Sequence, residues 1–263
     1  MLKMSPKTPC PSGTILTYHN ILPPGSDPAK DAWSIAFDRL SDHVQTLFEN
    51  GFTCLTLAEM VAHLTSDQWA DGKPCFAVTF DDGYANLHRY LPQLWPQVKP
   101  TVFLLTDCMG GNNGWNTRAD RFLQHLSLEM ARDLQSAGIA MQLHGCDHHK
   151  LTKFSEQELS TRFEQGIAWF RRHIGAAPHY LSYPYGTCNR LITEVASRYF
   201  QAAFATNHGA WHGTDARHAL NRISVPSHLD GEGLLAVVRA RPELRWMESE
   251  KRAPGRSGAN LNG

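Results

Sequence analysis

The sequence predicts an α/β fold in which about seven parallel strands form a closed or nearly closed barrel wrapped by helices. Three observations predict it. Short apolar stretches rich in β-branched residues alternate with stretches of helical spacing from Thr14 to about residue 239. No long linker or internal repeat interrupts the alternation. Clusters of acidic, histidine and tyrosine residues fall where several strand stretches end. Strand–helix alternation implies right-handed crossovers and a parallel sheet, and this many units favour closure over an open sheet. A chain of 263 residues with 42% hydrophobic content suffices for one such domain around a buried core.

The elements follow in order. Residues 14–19 are apolar and β-branched, the mark of a buried strand. Phe37, Leu40, Val44, Leu47 and Phe48 share one helical stripe, which Gly51 ends. Thr56 with Glu59 forms a capping box that opens a helix over 57–64. Cys75–Phe80 is the next strand and runs straight into Asp81-Asp82-Gly83. A helix over about 86–95, a strand at Thr101–Leu105, a helix over 126–137 closed by Gly138 and a short strand at 140–143 follow. Ser155 with Glu158 is a second capping box, before a long helix ending near His173. A strand at 180–183 runs into Pro184-Tyr185-Gly186, with a helix to about Tyr199 after it. Strands at 202–206 and 222–225 and a helix over 231–239 complete the domain, taken as 14–240.

Composition excludes several function classes. Twenty-five basic residues balance twenty-five acidic ones, without the basic surplus of a nucleic-acid binder. Residues 1–13 form an extension with Lys3, Lys7 and three prolines but no apolar run, so no secretory signal is read there. No stretch has the roughly 20 apolar residues of a membrane span. Six scattered cysteines, at 10, 54, 75, 108, 146 and 188, read as reduced thiols. These features together predict a cytoplasmic protein. Residues 241–263 are polar and are expected to be disordered.

Loops at the C-terminal strand ends build the active site of a parallel barrel. That rule gathers Asp81-Asp82, His144 with His148, and Tyr185-Gly186 at one mouth. Adjacent carboxylates raise each other's pKa unless a cation or donor compensates them. A divalent metal binding one of them leaves the other to act as a base. Asp-Asp-Gly alone is equally good turn chemistry. The histidines shift the balance, because i, i+4 spacing lets both rings face one point if the chain turns helically. Two imidazoles and a carboxylate leave positions open for water and substrate. A zinc-protease pattern needs Glu after the first His, where Gly145 stands. Non-haem iron oxygenases use the same ligand set, but in hosts that are usually all-β. His149 reads as a bystander, and His43, His63, His88, His125, His173 and His179 as ordinary surface residues.

Three motifs resemble, in order, those of the polysaccharide deacetylase family, the NodB-homology group. Thr79-Phe80-Asp81-Asp82-Gly83-Tyr84 resembles its first motif, and Leu143-His144-Gly145-Cys146-Asp147-His148 its second. Leu181-Ser182-Tyr183-Pro184-Tyr185-Gly186 resembles the third in its Tyr-Pro-Tyr-Gly form. Leu16-Thr17-Tyr18-His19 and Asn221-Arg222-Ile223-Ser224-Val225 match weaker stretches of the exopolysaccharide-type branch. The resemblance implies a distorted (β/α) barrel and a hydrolase that removes N-acetyl groups from GlcNAc-type sugars of a polysaccharide or glycoconjugate. Asp82, His144 and His148 would hold one divalent metal, zinc first, with cobalt, nickel, iron or manganese as alternatives. Asp81 would be the base, and the backbone N–H of Tyr185 would help hold the oxyanion.

Ser182 stands where the third motif usually has an Arg, so Arg222 is the candidate to orient Asp81. For the acid that protonates the leaving amine, His19, His208, His212 and His218 are candidates, and a protonated Asp81 is another. Tyr84, Tyr183, Trp115 and Trp211 are candidate sugar contacts. Two further readings stay open. One is deacylation of a small amide or of a lipid-linked sugar intermediate, the latter with peripheral membrane association. The other is an inactive glycan-binding module. The partner expected in each glycan reading is an N-acetylated sugar; the oligomeric state does not follow from the sequence.

Overall fold

The computed structural model describes residues 13–27, 33–65, 73–115, 122–206 and 216–240. The expected extension before Gly13 and the tail 241–263 lie outside these residues. The chain runs β1 (Gly13–Tyr18), β2 (Asn20–Leu22), β3 (Ser34–Ala36), α1 (Phe37–Glu49), β4 (Thr53–Cys54), α2 (Leu57–Thr65), β5 (Cys75–Phe80) and α3 (Asn86–Tyr90). It continues through β6 (Thr101–Leu105), α4 (Leu128–Ser136), β7 (Ala140–Gly145), α5 (Glu156–His173), β8 (Tyr180–Ser182) and α6 (Arg190–Ala196). β9 (Ala202–Ala205), β10 (Leu220–Asn221), β11 (Ile223–Ser224) and α7 (Gly231–Ala240) finish it.

The main sheet has the order β10-β9-β8-β7-β6-β5-β1-β11 with every pairing parallel. Its two ends belong to one stretch of chain. Leu220 and Asn221 pair with Phe204 and Ala205, and two residues later Ile223 and Ser224 pair with Leu16 and Thr17. Between them, the Arg222 N–H donates to the Ala205 carbonyl at 3.0 Å. The stretch 220–224 thus steps from one edge of the sheet to the other. With β1, β5, β6, β7, β8 and β9 it makes a nearly closed ring of seven strand positions, the barrel expected from the sequence. β4 sits outside the ring, against the start of β5.

Strands buried on both faces explain why the sequence reads as apolar runs: β1, β5 and β6 are buried at every position. β5 and β6 fall on the expected residues, while β7 runs two residues further and carries His144 inside the sheet. The expected strand 222–225 is split into two because it changes neighbours at Arg222. The helix expected over 86–95 ends at Tyr90, followed by a 3₁₀ turn at Leu91–Gln93, because Pro92 has no N–H for a continuing α-helix. Both capping boxes form. The Thr56 N–H donates to Glu59 Oε2 at 2.8 Å, and the Ser155 N–H to Glu158 Oε2 at 2.7 Å.

Alternation along the strands divides the core in two. Ile15, Cys75, Ala77, Phe103, Tyr180, Ala202, Phe204 and Leu220 pack together inside the ring, with Leu57, Met60 and Val61 of α2 closing its N-terminal end. Leu16, Phe76, Val78, Phe80, Val102, Leu104, Leu143 and Leu181 face outward against the helices. Gly166 of α5 lets that helix press on β7, since a Cβ there would lie 2.9 Å from Leu143 Cδ2. This contact fixes the strand that presents His144. Above the apolar interior, at the C-terminal end, the same inward alternation continues as Thr17, Thr79, Ser182 and Arg222, all buried. The barrel is greasy below and polar on top.

Candidate metal centre and catalytic site

Asp81 and Asp82 leave β5 in a turn. The Asp81 N–H donates to the Tyr18 carbonyl and the Gly83 N–H to the Asp81 carbonyl, each at 2.9 Å. Asp82 has φ 68° and Tyr185 φ 60°, the two positive values outside glycine among the described residues. Such backbone costs about 1–3 kcal/mol and persists where the surroundings fix it. Here His125 fixes it: its Nδ1–H donates to the Asp82 carbonyl at 2.8 Å. Tyr185 lies in the tight turn Pro184–Gly186. Gly186 is indispensable to that turn, because its φ is +63° and a Cβ would fall 1.6 Å from Thr206 Oγ1.

Asp82 Oδ1 lies 3.3 Å from His144 Nε2 and 3.3 Å from His148 Nε2. His144 donates its other ring nitrogen, Nδ1, to the Ser182 carbonyl at 2.9 Å. That bond fixes the tautomer and leaves Nε2 as a lone pair facing a carboxylate oxygen. With the ring neutral, two acceptors meet with no proton between them, and Asp82 Oδ1 is buried without a hydrogen-bond partner. Buried acceptors of this kind need a positive charge. The three candidate ligand atoms lie within 4.8 Å of one another, and two neutral imidazoles plus a carboxylate suit a borderline-soft divalent ion. The residues therefore fit a metal.

The local field agrees. Burial alone would lower the His144 pKa, yet the carboxylates of Asp81 and Asp82 raise it, so the site attracts positive charge. His148 is held down to about 4 by burial, against the pull of Asp82. An ion pair from Arg162 of α5 to Asp147 anchors the loop that carries His148.

Asp81 faces the other way, into the polar top of the barrel. Arg222 Nη1 donates to its Oδ1 at 2.8 Å, Arg222 Nη2 to its Oδ2 at 2.6 Å, and the Ser182 hydroxyl to Oδ2 at 3.1 Å. The guanidinium is itself held by Thr79 Oγ1 (3.1 Å) and Ser182 Oγ (2.7 Å), over the rings of Phe103 and Phe204. Burial raises the Asp81 pKa, but Arg222 outweighs it and holds the carboxyl at about 2.

The structure brings together Asp81, Asp82, His144, His148, Tyr185 and Arg222. His19, after β1, joins them: its ring is coupled electrostatically to Asp82, Asp81 and His144. Trp115 packs on His148 at 4.4 Å, and the Tyr185 ring packs on the same imidazole at 4.3 Å. Three expectations need correction. Tyr183 is fully buried and its hydroxyl donates to the His218 carbonyl at 2.7 Å, so it anchors the fold and does not touch sugar. His218 is buried with its Nε2–H on the Phe200 carbonyl at 2.8 Å, just before β9 starts and so at the end of the barrel away from the site. Tyr84 is almost wholly buried and stacks on His125, supporting the wall from behind. His208, Trp211 and His212 lie outside the described residues, as does the His63 side chain.

Two residues read as ordinary surface histidines are buried, His43 beside Tyr18 and His125 beside Asp82. Neither burial is visible in the helical or loop spacing of its own segment. Ser182 was legible only as a departure; its hydroxyl fills the space between Asp81 and Arg222.

The polysaccharide deacetylase profile matches residues 69–201, which include Asp81, Asp82, His144, His148 and Tyr185. The chain belongs to the polysaccharide deacetylase family. This deacetylase is accordingly a carbohydrate N-deacetylase, a hydrolase of acetylated sugar polymers. It is 25% identical over 229 residues to YxkH of Bacillus subtilis (strain 168), a protein assigned to the polysaccharide deacetylases, covering 86% of this chain and 76% of that one. The barrel superposes on the deacetylase PplD of Streptococcus pyogenes, solved in complex with acetate, with TM-score 0.71, 20% identity and coverage of 88% and 99% of the two chains. It superposes on IcaB from Ammonifex degensii with TM-score 0.70, 20% identity and coverage of 88% and 97%. No helix among the described residues of the deacetylase is long and apolar enough to cross a membrane. Its described cysteines, at 54, 75, 108, 146 and 188, are all free thiols.

Proposed function

We propose that this barrel mouth hydrolyses the acetamide of a GlcNAc-type sugar in a polysaccharide or glycoconjugate, with Asp82, His144 and His148 holding one divalent ion, zinc first. The observation that carries this reading is the meeting of three acceptor atoms beside a second, separately clamped carboxylate. A bound ion would polarise the acetyl carbonyl and acidify a water.

The chain's own residues divide the remaining work. Asp81, ionised at neutral pH, accepts the proton of the attacking water. Its bidentate clamp fixes both carboxylate oxygens, so Arg222 and Ser182 are positioning residues. The clamp also lowers the basicity of Asp81, which therefore releases the proton readily to the departing amine. His19 is the second candidate donor for that amine, because both aspartates draw a proton toward its ring, against burial, which lowers its pKa. The backbone N–H of Tyr185, in its left-handed turn, stabilises negative charge on the acetyl oxygen. Trp115 and the Tyr185 ring form the wall against which the sugar lies.

Acetate release from N-acetylated oligosaccharides by the metal-replete protein tests this reading, with elemental analysis run alongside. His144→Ala should lose both bound metal and acetate release. Full metal content in that variant would sink the ligand assignment.

A further inference from the structure

We propose that His125 and Trp115 are positioning residues for the metal centre, two parts of one brace that holds the ligands Asp82 and His148 in place. The proposal rests on the ligand assignment above and names the residues beyond the ligands that set the affinity for the ion.

The two histidine ligands are secured differently. His144 has the usual arrangement of a metal-bound imidazole, with its second ring nitrogen on a backbone carbonyl, that of Ser182. His148 has no such partner: its Nδ1 is buried and makes no hydrogen bond. Two rings pack on it instead, Trp115 at 4.4 Å and Tyr185 at 4.3 Å. Packing thus does for His148 what a hydrogen bond does for His144. Asp82 needs support of its own, because its backbone is left-handed, with φ 68°.

One piece of chain reaches both ligands. Residues 110–114 and 123–126 run as two antiparallel arms. The Gly110 N–H donates to the Leu126 carbonyl and the His125 N–H to the Gly111 carbonyl, each at 2.9 Å, and the Asn113 N–H to the Leu123 carbonyl at 3.0 Å. The second arm is laced to the turn that carries Asp82. The Ala85 N–H donates to the Gln124 carbonyl and the Leu126 N–H to the Gly83 carbonyl, each at 2.8 Å, and the His125 ring adds its bond to the Asp82 carbonyl at 2.8 Å. Trp115 continues from the first arm onto His148, and its indole also packs on the His125 ring at 5.3 Å. Ring contacts therefore run unbroken from the backbone of one ligand to the side chain of another. An ion binds tightly where its ligands are ordered before it arrives, since ordering them on binding costs free energy. Ordinary packing residues would affect stability alone; a brace affects the affinity for the ion with all three ligands intact.

The test measures zinc affinity of the full chain by competition with a chromophoric chelator, and the visible absorption of the cobalt(II)-loaded protein. His125→Leu removes the donor to Asp82 and should weaken zinc binding about 10–100-fold. His125→Asn, whose Nδ2–H stands where the ring Nδ1–H did, should restore most of it. Trp115→Ala should weaken zinc by a similar factor and shift the cobalt bands, whereas Trp115→Phe should keep both near wild type. Trp115 is partly exposed, so its pair of variants decides the matter if His125→Leu does not fold. Wild-type zinc affinity in His125→Leu or in Trp115→Ala would overturn the brace, whatever the variant does to the stability of the chelated protein. Losses that Asn and Phe do not restore would overturn it as well. Absence of zinc binding by the wild type would overturn the ligand assignment and the brace with it.

Discussion

Arg222 grips Asp81 with both terminal nitrogens, at 2.8 and 2.6 Å, from the stretch of chain that closes the barrel. Closure of the fold and orientation of the proposed base are therefore one event. The side chains are 0% and 5% exposed, so neither charge tolerates loss of the other. Arg222→Met should destabilise the protein by about 3–5 kcal/mol and abolish activity, because a buried carboxylate is left unpaired. Adding Asp81→Asn should restore much of the stability and none of the activity. Urea unfolding of the single and double variants measures this coupling; additive losses would refute it.

Metal should stabilise the fold measurably. A ligand that binds only the folded state adds about 2.7 kcal/mol at a hundredfold excess over its Kd. Thermal unfolding of chelator-treated wild type should therefore shift upward on adding zinc. In His148→Ala the shift should shrink or vanish, and an undiminished shift would place the metal elsewhere.

Acid should weaken the protein through a histidine remote from the metal. His43 donates Nε2–H to the Leu229 carbonyl (2.8 Å), and in the neutral ring Nδ1 accepts from the Tyr18 hydroxyl (3.1 Å). Burial lowers its pKa below the usual 6.5, against the Leu229 carbonyl and Asp42, which raise it. The folded state thus binds this proton less readily than the unfolded chain. Stability from the neutral ring is complete above about pH 6.5 and is lost as pH falls below it. Unfolding free energy measured between pH 7.5 and 5.5 should fall, and the fall should be smaller in His43→Gln. Equal slopes in the two proteins would remove His43 from the account.

The fold was largely legible in the sequence because buried parallel strands are apolar runs and both capping boxes are local signals. β2, β3 and β4 escaped notice, since two or three residues cannot display a period. The candidate metal ligands were legible because they fall at or just beyond strand ends within recognisable motifs. Arg222 was foreseen only as a substitute for an Arg missing at Ser182. Its reach depends on where 220–224 switches neighbours, a tertiary fact. His125 carries no such signal and Ser182 showed only as a departure from its motif, for their partners Asp82 and Asp81 are distant in sequence.

The turn at Tyr185 should be intolerant of a single methyl group. Gly186→Ala places Cβ 1.6 Å from Thr206 Oγ1 at a φ of +63°, so both the turn and its contact with β9 must shift. A loss of at least about 2 kcal/mol in unfolding free energy is expected, together with most of the acetate release. Tyr185→Ala keeps the backbone and should be milder on stability. Wild-type stability in Gly186→Ala would contradict the geometry.

The central claim is a division of labour between two adjacent aspartates, and Asp81→Asn tests it most directly when bound metal and acetate release are measured on the same sample. The substitution keeps the shape of the side chain and leaves Asp82, His144 and His148 in place. The predicted result is wild-type metal content with acetate release reduced by about 10²–10⁴-fold. Acetate release near the wild-type rate from that metal-loaded variant would contradict the claim.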